Sequence, residues 1–196
     1  TAYPQYDGKC DPLVITSNPP NDGNCPLYPG VYLPGFVSGN HSYRTIDFVT
    51  NGIFVGYRWY DKHDVQPLFP FGHGDSYTRF KYSKLVVKTA ADGGLDVKFR
   101  VQNVGSYDGD EVVQVYIGAG QVPAGVQMAE KALVGFDRLT LKKGQWKDVS
   151  IHVAPRQLSY WSVDAHDWVV SGGARNVLVG SSSASIQLHK TVNVQP

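Results

Sequence analysis

Long hydrophobic runs are absent from this chain of 196 residues. Charge or glycine interrupts each apolar stretch, whereas a membrane-spanning helix needs about 20 apolar residues in succession. An excess of basic charge is absent too, since Lys and Arg number 18 against 17 Asp and Glu and leave a formal net charge of +1. Proteins that bind nucleic acid concentrate positive charge on one face. Neither a membrane nor a nucleic acid is therefore expected as a partner.

Cysteine is scarce, because Cys10 and Cys25 are the whole thiol inventory. Two sulfurs without a CxxC pair are too few for a structural zinc site, and the six histidines show neither HExxH nor paired i, i+4 spacing. We therefore expect no metal and no cofactor. Turn-forming residues fill the segment between the two cysteines, which predicts a local disulfide that closes a loop of about 15 residues and contributes roughly 3 kcal/mol. Two unpaired thiols are the alternative.

Export is indicated by a second local signal. Asn40 begins the triplet Asn-His-Ser, an acceptor sequence for N-glycosylation, in a stretch rich in glycine and serine. Together with the predicted disulfide, it favours an oxidising, extracellular location. The chain starts at Thr1 without a basic and then apolar leader. We interpret this start as a leader already removed, or as the beginning of a piece of a longer protein.

Proline divides the chain into two regions. Nine of the twelve prolines fall within the first 70 residues, where a continuous sheet could not accommodate residues that lack an amide donor. This N-terminal extension is predicted to be largely irregular, apart from a β-like patch over residues 53–60. We place the boundary near Asp75, which gives an extension of residues 1–74 and a domain of residues 75–196.

Alternation of apolar and polar residues dominates the second region. Between residues 95 and 102, four apolar residues alternate with charged or amide side chains, which is typical of a half-buried strand. The predicted strands cover residues 85–89, 95–102, 111–117, 133–141, 146–153, 167–170, 175–180 and 186–194. The first two should form a hairpin through Asp92-Gly93-Gly94, and residues 155–158 a single helical turn. Eight strands are enough for two packed sheets, so the fold class is all-β, a sandwich.

Catalytic constellations are sparse in this chain. Glycoside hydrolysis uses two carboxylates held about 5 to 9.5 Å apart, but only two of the acidic residues are Glu, namely Glu111 and Glu130. Most of the fifteen Asp lie in turn sequences such as Asp92-Gly93 and Asp108-Gly109, where their side chains cap the backbone. The serines at 181–183 lack the GxSxG pattern of a nucleophile.

Aromatic residues are the most suggestive feature, since flat rings can contact sugars. One group consists of Tyr57, Trp59 and Tyr60, which we interpret as contacts to a missing neighbouring domain or to carbohydrate. A second group consists of Tyr160, Trp161 and Trp168, for which a place in the core is favoured over a sugar platform. His73, between two glycines, is either an ordinary loop residue or a side chain that reaches into a neighbouring site.

Several ordered motifs resemble glycoside hydrolase family 3, the β-glucosidases and β-xylosidases. Residues 52–62 and 67–78 resemble the run that leads into the C-terminal domain of that family. The motifs at 101–105, 109–116, 131–136 and 177–183 resemble its fibronectin type III-like module. Order and spacing match from about residue 50 onward, although Asp75 stands where the family usually has Leu.

The resemblance implies an immunoglobulin or fibronectin type III-like sandwich that belongs to a larger enzyme. The family's Asp nucleophile and Glu acid/base lie in upstream domains, and no position of this chain matches either, so the chain is expected to be inactive alone. Residues 1–74 resemble the tail of an α/β sandwich domain with its connector. The implied function is that of an accessory, stabilising module of an exported β-glycosidase, with the catalytic domains as its partners. The alternative is a module that binds carbohydrate or another polymer through exposed aromatic residues.

The disulfide and the glycan are both measurable by mass. With a Cys10–Cys25 disulfide, reduction adds two hydrogen atoms to the intact mass and makes two thiols available to an alkylating reagent. With a glycan on Asn40, treatment with an amidase that removes N-linked glycans lowers the mass of protein from a eukaryotic secretory host. The variant Asn40→Gln should then show no such decrease. Alkylation of both cysteines without reductant would contradict the disulfide.

Overall fold

The computed structural model describes residues 52–196 and, before them, the backbone of residues 37–38 and 41–42. Cys10, Cys25 and Asn40, for which a disulfide and a glycan are predicted, lie outside the described residues. The chain divides into two compact units between Pro70 and Phe71, four residues before the predicted boundary. The assignment of residues 1–74 to an upstream domain stays a prediction.

In the first unit, strand β1 (Val37–Ser38) pairs antiparallel with β2 (His41–Ser42), and one short helix follows, α1 (Tyr57–Lys62). The prediction of a β-like patch over residues 53–60 is wrong, because the helix occupies part of this range. Trp59 and Tyr60 are both buried in one cluster with Phe54, whereas neighbouring residues of a strand point to opposite faces. A helical turn places both rings on the cluster, and it begins after Gly56, whose φ of 59° suits glycine.

The second unit contains two antiparallel sheets. Their strands are β3 (Phe80–Thr89), β4 (Leu95–Asn103), β5 (Gly109–Gly118), β6 (Lys131–Leu141), β7 (Trp146–Val153), β10 (Gly173–Gly180) and β11 (Ile186–Val194). One sheet has the strand order β3-β4-β7, and the other has the order β11-β10-β5-β6. Between β7 and β10 lie a 3-10 helix (Pro155–Leu158) and a separate two-stranded ribbon, β8 (Ser159–Ser162) with β9 (Asp167–Val170). The prediction of an all-β fold is confirmed.

Alternate residues of the strands fill the space between the two sheets. The core consists mainly of branched aliphatic side chains, with Phe99 and Tyr82 stacked at a centroid distance of 6.3 Å. The core residues of β4 and β5 are Leu95, Val97, Phe99, Val101, Val113, Val115 and Ile117. Because branched side chains pack well on pleated strands, this pattern stabilises both layers at once.

Each of the eight predicted strands is present, and the predicted turn at residues 155–158 is the 3-10 helix. Strand β3 starts at Phe80, five residues before the predicted start. The prediction missed this first part because a bulge between Ser83 and Val86 interrupts the alternation of the strand. Lys84 in this bulge has a φ of 59°, and the period read from the sequence restarts after it. Strand β8, which pairs with the predicted strand β9, was not predicted.

A buried asparagine joins the end of β4 to the end of β6 and to the chain that leads into β3. The side-chain amide of Asn103 donates to the carbonyls of Leu141 (3.0 Å) and Tyr107 (2.7 Å). Its Oδ1 accepts from the hydroxyl of Thr78 (2.6 Å) and from the amide of Gly105 (3.1 Å). All of its hydrogen-bonding capacity is therefore used inside the protein, as a buried amide requires.

His152 on β7 lies between two carboxylates. Its Nδ1 is 2.9 Å from Oδ1 of Asp96 and its Nε2 is 3.0 Å from Oδ2 of Asp92. An imidazolium donates from both nitrogens, so these contacts, chiefly that with Asp96, raise the pKa of His152. The pKa of Asp92 is lowered, mainly because the amide of Gly94 donates to it (2.9 Å).

Two phenylalanines of opposite burial test the sandwich. Phe99 is buried between the sheets and Phe136 is exposed on β6. Phe99→Ala should lower the free energy of unfolding by about 3 to 5 kcal/mol, because it leaves a cavity in the core. Phe136→Ala should change it by less than about 0.5 kcal/mol. Urea denaturation followed by tryptophan fluorescence measures both, and an equal loss for the two variants would contradict the described core.

His152 should make stability depend on pH in a defined direction. Because its folded-state pKa is raised, its stabilisation is complete below about pH 6.5, the unfolded value, and is lost as the pH rises through the folded-state pKa. The wild-type melting temperature should therefore decrease across that interval, and His152→Gln should lack this component. His189→Gln, which changes an exposed histidine of β11, is the control and should keep the wild-type profile. Identical profiles for wild type and His152→Gln would contradict this role.

Candidate functional site

The most prominent exposed feature is the tryptophan hairpin, by which we mean residues 159–170, comprising β8, β9 and the turn between them. Trp161 and Trp168 face each other across its two strands, with ring centroids 5.5 Å apart and planes inclined at 64°. They are 47% and 39% exposed. The guanidinium carbon of Arg156 lies 3.1 Å from the ring centre of Trp168, a cation–π arrangement.

The interpretation of this aromatic group as core is wrong for Trp161 and Trp168. The ribbon is not part of either sheet of the sandwich, so no second layer covers this pair. Tyr160 lies on the other side of β8, paired with Val169, and is half-buried. The two tryptophans are therefore surface residues on a projecting hairpin.

A buried arginine fixes the base of the hairpin to the sandwich. Arg175 is 1% exposed, and its Nη1 donates to the carbonyls of Leu158 and Ser171 (3.1 Å each), which flank the hairpin. Its Nε donates to the carbonyl of Gly118 on β5 (2.6 Å). Burial lowers the pKa of Arg175, and these three carbonyls compensate its donors in place of a carboxylate.

Further hydrogen bonds close the same base. The amide of Ser171 donates to the carbonyl of Leu158 (3.0 Å), and its hydroxyl donates to the carbonyl of Gln121 (2.8 Å). Sequence reasoning missed Arg175, although a signal was present. Arg175 is in phase with Val177 and Val179, which are both buried in the core, so alternation alone predicts that its side chain is turned inward.

A cavity of about 680 Å³ lies beside the hairpin, on its Tyr160 side. Apart from the phenol of Tyr160, its lining side chains are apolar or carboxamide, and no Asp, Glu, His, Lys or Arg side chain is among them. The lining residues are Gln121, Tyr160, Val169, Val170, Gly172, Gly173, Ala174, Asn193, Val194, Gln195 and Pro196. This cavity therefore offers no pair of carboxylate side chains for glycoside hydrolysis.

The first predicted aromatic group lies mostly inside its own unit. Trp59 is 2% exposed and meets Tyr60 edge to face at 5.3 Å. Its ring is also 4.6 Å from that of His63, while Tyr57 is half-buried. These rings are packed rather than presented to solvent in the described arrangement. Their role in contacts to a neighbouring domain or to carbohydrate stays a prediction.

His73 lies in an exposed loop of the second unit. Its Nε2 is 3.9 Å from Oδ1 of Asp75, whose side chain is fully exposed. The loop itself is attached to the turn between β10 and β11, since the amide of Ser183 donates to the carbonyl of Phe71 (2.8 Å). Full exposure of its side chain suits the charge of Asp75, which stands at the position where the motif of the resembled family has Leu.

Several carboxylates of the strands are engaged in structural contacts. Hydrogen bonds from Thr140 and Arg138 lower the pKa of Asp110, and those from Arg100 lower the pKa of Asp148. Glu111 differs, because burial raises its pKa. A raised pKa is typical of a general acid, but the neighbour that acts on Glu111 is the phenol of Tyr82 rather than a second carboxylate.

Two features are absent from the described part of the chain. No three His, Cys, Asp or Glu side chains are grouped there as ligands for a metal ion. Over the same residues, no helix combines the length and the apolar composition that crossing a membrane requires.

Comparison with known proteins identifies the sandwich. Residues 111–183 match the family model of the fibronectin type III-like domain. Thermostable β-glucosidase B of Acetivibrio thermocellus is 41% identical over 146 residues, which cover 73% of this chain but 19% of that protein. Probable β-glucosidase D of Aspergillus niger is 37% identical over 165 residues and is covered to 22%. The chain thus spans about a fifth of the length of the curated relatives it matches.

Solved structures give the same result. The β-glucosidase DesR from Streptomyces venezuelae, in complex with D-glucose, is 45% identical with a TM-score of 0.71, over 74% of this chain and 19% of DesR. The β-D-glucoside glucohydrolase of Trichoderma reesei is 31% identical with a TM-score of 0.71, over 84% of this chain and 25% of that one. The chain therefore matches a segment of β-glucosidases, one of them a structure of a GH3 β-glucosidase from Bifidobacterium adolescentis, and it carries a fibronectin type III-like domain, which is consistent with the C-terminal region of a glycoside hydrolase family 3 enzyme.

Proposed function

We propose that this chain is the non-catalytic C-terminal accessory module of an exported family 3 β-glycosidase. The observation that carries the proposal is the match to about a fifth of several β-glucosidases, by a segment that forms its own sandwich core. Hydrolysis of glycosidic bonds belongs to the remainder of such an enzyme, whose Asp and Glu motifs have no counterpart in this sequence. The work of the module is to pack against the catalytic domains and to stabilise them.

Exposed apolar side chains support the packing role. Phe136, Tyr107 and Val112 are exposed on the second unit, and exposed apolar surface commonly marks contacts with another protein surface. The cysteine pair and the Asn40 triplet support export, since disulfides and N-glycans are formed in the secretory pathway.

Carbohydrate binding is a second candidate function, and one observation favours it. Trp161 and Trp168 form an exposed pair on the tryptophan hairpin. Trp59, the other tryptophan considered for this role, is buried. The second candidate therefore concerns the hairpin and not the first aromatic group.

The accessory role predicts that the 196-residue chain does not hydrolyse aryl β-glucosides. The reason is that no carboxylate lines its described cavity, and retaining hydrolysis requires two. Release of nitrophenol from a nitrophenyl β-glucoside measures this, with an intact family 3 β-glucosidase as the positive control. Turnover that follows the chain through successive purification steps would contradict the proposal.

A further inference from the structure

We propose that the tryptophan hairpin is a binding site for β-glucan chains, with Trp161 as the main contact. The proposal rests on carbohydrate binding, the second candidate above, and it does not depend on the accessory role. It names the surface, the residue and the ligand class, which is a neutral polymer of β-linked glucose.

The chemistry of the exposed rings suits a glucose unit. In β-linked glucose the hydroxyl groups are equatorial, so each face of the ring consists of C–H groups that can pack on an indole, while the edge needs hydrogen-bonding partners. A polar side chain lies directly beside the tryptophan pair, since the guanidinium carbon of Arg156 is 3.1 Å from the ring centre of Trp168. An apolar face with a polar edge is the combination that a sugar presents.

The size of the apolar surface also favours a sugar over a protein partner. With exposures of 47% and 39%, the two tryptophans offer roughly 200 Å² of indole surface. A standard protein interface buries about 800 Å² on each partner. The hairpin adds only Val163 as a further exposed large aliphatic residue, so its surface matches one or two sugar rings better than a protein interface.

The hairpin is held in place before any ligand arrives. Arg175 binds both ends of the hairpin and β5 through buried hydrogen bonds, and Arg156 stacks on Trp168. Ordering a flexible loop on binding costs free energy, and a prearranged surface avoids that cost. Arg175 is thus a positioning residue for the site, and Trp168 supports the ring of Trp161.

The chain offers a matched control for a tryptophan substitution. Trp146 on β7 is 51% exposed and stacks with Arg100, whose guanidinium carbon lies 3.5 Å from the ring centre. It therefore reproduces the exposure and the cation–π contact of the hairpin. It does not reproduce the tryptophan pair. Trp161 contacts the ring of Trp168, whereas the ring of Trp146 contacts the guanidinium of Arg100.

The test uses the 196-residue chain and measures its partition onto microcrystalline cellulose and onto insoluble β-1,3-glucan, with starch granules as an α-glucan reference. Wild-type protein and Trp146→Ala should be retained on at least one β-glucan. Trp161→Ala should lower the partition coefficient at least about tenfold, because loss of the indole removes most of the apolar contact. Trp161→Tyr should recover part of the retention. Melting temperatures establish that each variant is folded.

Three results would overturn the proposal: wild-type protein that is not retained on either β-glucan, equal retention of Trp161→Ala and wild type, or an equal loss for Trp146→Ala. A Trp161→Ala variant that destabilises an intact β-glycosidase without changing glucan retention would identify the hairpin as a protein contact instead. The assay of aryl β-glucoside hydrolysis is independent of all these outcomes. Failure of the binding site is therefore distinguishable from failure of the accessory role.

Discussion

Burial of alternate side chains between two antiparallel sheets is the interaction on which the other features of this molecule depend. Each strand gives one face to the core, where Val97 and Val115 lie among neighbours from both layers, and burial of such side chains supplies most of the stability of a domain of this size. The other face is then available for other contacts. On β4 and β7 it carries the ion pair of Arg100 with Asp148 and the contacts of His152, while on β5 the side chain of Gln114 lies against Gly72 in the loop that precedes β3.

Two buried polar side chains connect this core to the parts outside it. Asn103 joins the ends of β4 and β6 to the entering chain at Thr78, and Arg175 joins β5 and β10 to the hairpin that contains Trp161. Both satisfy their donors largely with backbone carbonyls, which avoids the cost of an unpaired buried group. In consequence the sandwich acts as a scaffold, and the exposed aromatic residues are presented from a fixed base.

Much of this fold was predictable because period-two alternation is a direct consequence of strand geometry. Leu95 to Val101 show it plainly, and β4 was predicted to within a residue of its end. Alternation failed where the backbone departs from a regular strand, at the bulge of Lys84, and in the turn of α1, where Trp59 and Tyr60 follow each other in one cluster. The exposure of Trp161 was not predictable, because a strand in a free ribbon and a strand in the core have the same local pattern. Only the tertiary arrangement decides whether a second layer covers them.

We propose that this module stabilises the catalytic domains of a family 3 enzyme. Removal of the module from such an enzyme tests this proposal most directly. The measurement is the thermal unfolding of an intact family 3 β-glycosidase with this C-terminal region, compared with the same enzyme truncated after the residue that corresponds to Pro70. The account predicts that the truncated enzyme keeps its catalytic carboxylates but unfolds at a lower temperature. An unchanged unfolding temperature together with undiminished hydrolysis of β-glucosides would contradict it.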